Sequence, residues 1–316
     1  MAISTRPRVV LEPASRAFVE ATSTPPFIYE LAPAEARKVL DDVQADPIEK
    51  PRVDERWITV SADVGRCASE SCARPMSRGR SRRSSTCMAA GGSSATPTHT
   101  IDSSGSLLSV PKPPSCSSST TARRRRTTPS LSSRATRRHS GSFATGPRTV
   151  STQTTWPSVG GCMTAALALM AKERGDVRFV QQSMWYPAAM DTESYEEFAE
   201  GYFLTPKGMA WFWDAYLPDL ERRSEPFASP LRASDEQLHG LPPAFVIVDE
   251  ADVLRDEGEV YAARLRAAGV AVTTVRYDGI THDFMMLNPL SDTHATRAAV
   301  AQASSVLRDA LWRIRP

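Results

Sequence analysis

No stretch of this 316-residue chain holds the roughly 18 successive apolar residues that a membrane-spanning helix needs, and the N-terminus lacks the short apolar core of a secretory signal. The expectation is a soluble protein in the cytoplasm. Charge of one sign is not in excess either. Lys and Arg number 38 against 36 Asp and Glu, and a net charge of +2 argues for no particular partner. Cysteine is sparse: five in a chain this long give no disulfide framework. They show no paired ligand spacing, and the five histidines are scattered, so no metal and no cofactor are expected. The length suits one large domain with a substantial core.

The most informative stretch runs over residues 241–284. Residues 244–249 are an apolar run rich in β-branched residues behind Pro242-Pro243, which predicts a buried strand. Over 255–268, Val260, Ala263 and Ala267 recur at helical spacing, and Gly269 closes the run as a helix stop. Residues 270–277 form a second β-branched strand. Strand, helix and strand in this order make a βαβ unit and imply a parallel sheet. Chemistry in such sheets gathers at the C-terminal strand ends. Asp252 follows the first strand and His282 the second, so an acid and an imidazole reach the same sheet edge, as in a charge-oriented base. A turn-forming Asp and a solvated His are the plainer alternative, and the pair alone does not decide.

The segments Asp252-Val253-Leu254-Arg255-Asp256-Glu257-Gly258 and Gly279-Ile280-Thr281-His282-Asp283-Phe284 resemble the C-terminal signature of α/β-hydrolases. The branch they resemble is the hormone-sensitive-lipase-like group of bacterial acetyl esterases and carboxylesterases. Ser229-Pro230-Leu231 matches a segment common in that group, and the likeness runs from about Ser158 to the C-terminus. It implies an α/β fold with a mostly parallel central sheet, flanking helices and an N-terminal helical cap. It also implies a Ser-Asp-His triad in that chain order, completed by Asp252 and His282.

The nucleophile of that family sits in a G-D-S-x-G-G elbow. Here Ser158-Val159-Gly160-Gly161 stands before an apolar helical run, so the resemblance implies Ser158 as nucleophile and the Val159 backbone N–H as an oxyanion donor. The two residues before the serine depart from the pattern. Trp156 and Pro157 occupy positions where a strained strand-to-helix turn needs small side chains. A simple helix N-cap is the plainer reading of Ser158.

Between about Gly65 and Pro157 the composition changes to Ser, Thr and Arg, with Arg123-Arg124-Arg125-Arg126 the densest charge, and neither strand nor helix period persists. Read literally it is a basic disordered insert, and a non-catalytic interaction protein is the rival reading it supports. Interleaved aromatics for base stacking are missing, however, and the segment falls where the fold needs its early strands. Read one base out of phase, the codons behind Ser85 to Gly92 permit Y-M-H-G-G-G-W, like the family's oxyanion loop. Those behind Ser119 to Ser130 permit Y-D-x-x-P-E-A-x-Y-P-V. Several family-like strings in one phase and in order mark residues 65–157 as a frameshifted segment, with the frame regained beside Ser158. The literal chain is then expected to be inactive.

The domain reading is one unit over 1–316, with a cap and first strand in 1–60, the aberrant segment in 65–157 and the catalytic half in 158–316. Short helices are expected over 13–21 and 32–43, a strand over 56–60, a strand over 177–186, an aromatic helix over 206–217 and a final helix over 291–313. The expected activity is hydrolysis of short-chain, acetyl-type esters, with an amidase or lactonase of the same fold as the alternative. The implied partner is a small-molecule ester, with no nucleic acid and no membrane span, and a homodimer is left open.

Overall fold

The computed structural model describes residues 9–45, 47–48, 54–62, 65–73, 87–89, 99–101, 107–109, 156–175, 177–185 and 192–312. Most of the aberrant segment lies outside the described residues, and of the stretch 85–92, whose codons permit the oxyanion loop, only Cys87–Ala89 is described, as a strand. The helices are α1 (Pro13–Thr22), α2 (Pro33–Val43), α3 (Cys162–Arg174), α4 (Glu193–Glu197), α5 (Pro206–Tyr216), α6 (Asp235–Leu238), α7 (Arg255–Ala267) and α8 (His294–Trp312). The strands are β1 (Asp54–Ala62), β2 (Gly65–Ala73), β3 (Cys87–Ala89), β4 (His99–Ile101), β5 (Leu107–Ser109), β6 (Trp156–Gly160), β7 (Phe179–Trp185), β8 (Ala244–Ala251) and β9 (Val272–Thr281).

Five strands form the central sheet in the order β3-β6-β7-β8-β9, and every neighbouring pair is parallel. The pairs β1-β2 and β4-β5 form separate antiparallel ribbons. The expected mostly parallel sheet is therefore present, with its early part in separate pieces.

Helices cover both faces, as a parallel sheet requires. On one face Val246 and Val248 of β8 pack with Ala165 and Leu169 of α3 and with Tyr261 and Leu265 of α7. On the other, Phe245 and Ile247 meet Ala299, Ala303 and Leu307 of α8 and Phe18 of α1. The alternation along β8 is the two-residue period of a strand buried on both sides. Helix α3 is buried along its whole run from Met163 to Ala171, since it is apolar all round, and it ends at Gly175 in the left-handed conformation (φ 65°).

One irregularity positions the sheet edge. Asp249 pairs with Tyr277 but Ala251 pairs with Thr281, so β9 carries two more residues than β8 across this step. The bulge holds Asp278 and Gly279. Gly279 has φ 71°, donates its N–H to the Glu250 carboxylate at 2.7 Å, and accepts the Glu12 N–H at 2.7 Å. A Cβ there would stand 3.2 Å from the Val10 carbonyl oxygen, so glycine is demanded by both conformation and space. The sequence reading ended this strand at Tyr277. Asp-Gly reads as a turn, but pairing with Ala251 carries the strand on to Thr281.

Candidate active site

Strands β8 and β9 end side by side, and the first residues beyond them meet. His282 Nδ1 lies 2.8 Å from Asp252 Oδ2. The carboxylate is oriented from its other oxygen, because Leu254 donates its N–H to Asp252 Oδ1 at 2.9 Å. This Asx turn also opens α7, since the backbone turns one step after the carboxylate is fixed. Asp252 is 1% exposed and the His282 side chain 14%. An ionised carboxylate can only accept, so the imidazole donates from Nδ1 and leaves Nε2 as the working nitrogen.

Two further carboxyls crowd the pair. Asp283 follows His282 with φ 63°, and its Oδ1 lies 3.6 Å from His282 Nε2. Asp249, within β8, is fully buried. One oxygen or nitrogen each from Asp249, Asp252 and His282 lies within 4.8 Å of the others. Two members of that trio are already committed to one another, which suits proton handling better than metal coordination. Burial alone would lower the imidazole, but the charges of Asp252 and Asp283 outweigh it and push His282 up to about 9. Asp283 is raised, chiefly by burial, with the imidazolium opposing. Asp249 is raised well above the usual carboxylate range, first by burial and then by the charges of Asp252 and Asp283.

The region over α4 is tied to this edge. Ser194 donates its hydroxyl to the Val253 carbonyl at 2.5 Å and its N–H to Asp256 at 3.0 Å. Arg255 reaches Glu197 at 2.7 Å and Asp256 at 2.8 Å, with its guanidinium 4.8 Å above the Phe198 ring. The Arg and second Asp of the D-x-L-R-D run therefore dock α4, and Thr281 adds a hydrogen bond to the Tyr202 carbonyl.

Ser158 does not join the pair. It lies inside β6, fully buried, and its hydroxyl has no hydrogen-bond partner among the described residues. Its register runs through Gln182 of β7 to Ala244, the first residue of β8, whereas Asp252 lies beyond that strand's last. Val159 is likewise an interior strand residue, opposite Met88 and Ser183. In the chain as written the strand runs past the serine and turns at Gly160 (φ 140°) and Gly161. Such a turn favours residues without a Cβ, which here are the two glycines after the serine, because Trp156 and Pro157 stand before it. The sequence reading missed Asp249 and Asp283. Asp283 had a signal, being next to His282, but an acid inside an apolar strand gave none.

These features define an α/β-hydrolase sheet with an acid–imidazole pair at its C-terminal edge. A family profile described as alpha/beta hydrolase fold matches residues 157–286. An alpha/beta hydrolase of Acanthamoeba polyphaga mimivirus is 46% identical over 143 residues, which cover 44% of this chain and 41% of that one. An ethyl acetate hydrolase of Pseudomonas putida is 34% identical over 137 residues, 42% of each chain. The crystal structure of a thermostable esterase from Pseudomonas putida superposes with a TM-score of 0.77 at 32% identity, covering 97% of this chain and 99% of that one. The chain belongs to the α/β-hydrolase family. Its sequence matches span under half the length of those two curated relatives.

Proposed function

We propose that the product of this sequence read in one phase is a serine carboxylic-ester hydrolase acting on short-chain acyl esters, with Ser158 as nucleophile, His282 as base and Asp252 as the group that holds the imidazole. The observation that carries this reading is the buried Asp252–His282 hydrogen bond at the rim of a hydrolase sheet. In the reaction Ser158 Oγ attacks the ester carbonyl while His282 Nε2 takes its proton. Asp252 stabilises the imidazolium, which then protonates the leaving alcohol. In the product read in one phase, the Val159 N–H and the glycine loop read from the codons behind residues 85–92 would hold the oxyanion. The acetyl-type substrate is favoured by the ethyl acetate hydrolase among the relatives.

We further infer that the chain as written is catalytically silent, because its serine is held within β6 and away from the base. A reading-phase change over residues 65–157 accounts for this. The family match begins at residue 157, next to Ser158, beside which the proposed phase change ends. Hydrolysis of p-nitrophenyl acetate tests both statements. The chain as written should show no hydrolysis above background. The product read in one phase should hydrolyse the ester and lose at least about 10³-fold of its rate on Ser158→Ala. Turnover by the chain as written that Ser158→Ala abolishes would overturn the inference of silence. An in-phase product indifferent to Ser158→Ala would overturn the nucleophile.

A further inference from the structure

We propose that Asp249 is a positioning residue that stays protonated and donates its O–H to the Asp252 carboxylate, forming a second carboxyl behind the acid–imidazole pair. The proposal rests on the reading of Asp252 and His282 given above and adds a third member to their chain of hydrogen bonds.

The geometry leaves Asp249 little else to do. Its carboxyl is fully buried, and neither oxygen accepts a hydrogen bond from any described residue. A buried carboxylate with nothing donated to it is among the costliest groups a fold can hold. Protonation removes the charge and creates a donor. Asp252 lies within 4.8 Å and is the acceptor at hand. Asp252 receives Leu254 N–H on one oxygen and His282 on the other, and each oxygen keeps a second lone pair. Two carboxyls this close and this dry share one charge, not two.

None of the other described groups around this part of the sheet donates a hydrogen bond to Asp249. Asp283 and His282 come from the turn after β9, the first an acid and the second already bonded to Asp252. Tyr277, opposite on β9, gives its hydroxyl to Gln302. Helix α8 turns Ala299, Ala303 and Leu307 inward, while Arg297, Arg308 and Asp309 are exposed. Strand β7 contributes Met184 and Trp185 beside β8, and the buried Trp185 indole N–H has no hydrogen-bond partner among the described residues, so it does not donate to Asp249. Burial and the neighbouring acids both hold the Asp249 proton on.

The function of such a proton is to disperse the charge on Asp252. A carboxylate that receives an O–H pulls less strongly on the imidazolium, so His282 releases its proton at lower pH than it would beside an unshared Asp252. Removing the donor should raise His282, and an amide that keeps an N–H donor at the same place should not.

The test uses the full chain with Asp249→Asn and Asp249→Leu. Urea unfolding is followed from pH 5 to pH 9, and the His282 imidazole is titrated by NMR. The native state keeps a proton that the unfolded chain releases above the ordinary carboxylate range. The stability of Asp249→Asn relative to the parent should therefore grow with pH, approaching tenfold in the folding equilibrium per pH unit until Asp249 itself ionises. His282 should rise by about one unit in Asp249→Leu, the size set by one hydrogen bond to a charged group, and stay in place in Asp249→Asn. A stability difference that is flat with pH would overturn the proposal, as would equal His282 values in parent and Asp249→Leu. If Asp249→Leu does not fold, the Asp249→Asn pH slope decides alone. Neither readout uses ester hydrolysis, so a failure of the esterase reading is seen separately.

Discussion

His282 carries two acids on opposite sides of its ring, and their unequal roles can be separated by charge. Asp252 bonds Nδ1, whereas Asp283 stands at 3.6 Å from Nε2, the nitrogen that must accept a proton in catalysis. Asp283→Asn removes one of the charges that push His282 up, so the imidazole should titrate below about 9, by NMR, with the Asp252 bond unchanged. An upward shift would contradict this electrostatic account. The stability linkage has the same sign logic. A histidine raised in the native state stabilises the fold fully below its unfolded value near 6.5, and the contribution is lost as pH rises through about 9. His282→Gln should therefore cost stability below pH 6.5 and progressively less toward pH 9, as read from urea midpoints. A cost that grows with pH would contradict it. That Asp252 and His282 meet was legible in the sequence, since neighbouring parallel strands must deliver both to one edge. Asp249 was not legible. Its meaning depends on no described group donating to it, and no local pattern records what fails to arrive.

At the level of elements, the sheet edge is held by what the two ends of the chain bring to it. The Glu12 carboxylate accepts the N–H groups of His294 and Ala295, capping α8 from a segment almost the whole chain away. Gln44 accepts from the Asn288 N–H and donates to the Met286 carbonyl. Glu12→Ala should cost about 1 kcal/mol in urea unfolding, the usual worth of a charged cap. Gly279→Ala should cost more, about 1–2 kcal/mol from the left-handed backbone alone, with added crowding against Val10. Because the bulge sets where His282 emerges, this change should also disturb the imidazole signal, which Glu12→Ala should not. Arg255→Met should destabilise by about 1–3 kcal/mol, less than a fully buried pair because Glu197 is partly exposed. Helices α1, α2, α5 and α8 were readable from spacing and composition to within a few residues. The extension of β9 was not, because its Asp-Gly step is a turn signal that tertiary pairing overrides.

For the whole molecule, the two halves differ in how they relate to the family. The C-terminal half holds the family match and the acid–imidazole pair, on a sheet covered by helices on both faces. Among the described residues the five-stranded sheet ends at β3, and the ribbons β1-β2 and β4-β5 are not hydrogen-bonded into it. Ser158 lies at the seam. Its local motif reads as a nucleophile elbow, but an elbow is a property of strand register as well as of letters, and register is set by what precedes it. Here the preceding residues are Trp156 and Pro157, and the strand finds its turn two residues later at glycine. The sequence could name the serine but could not say how deep in the sheet it would come to rest.

In the proposed reading, the acid–imidazole half of the site is assembled while its serine is withheld. Labelling with an organophosphorus ester, which modifies only a serine activated by a neighbouring imidazole, followed by mass spectrometry of the peptides, tests it most directly. The account predicts no labelled serine in the chain as written and a single label on Ser158 in the product read in one phase. A label on Ser158 in the chain as written, or on a different residue in the in-phase product, would contradict it.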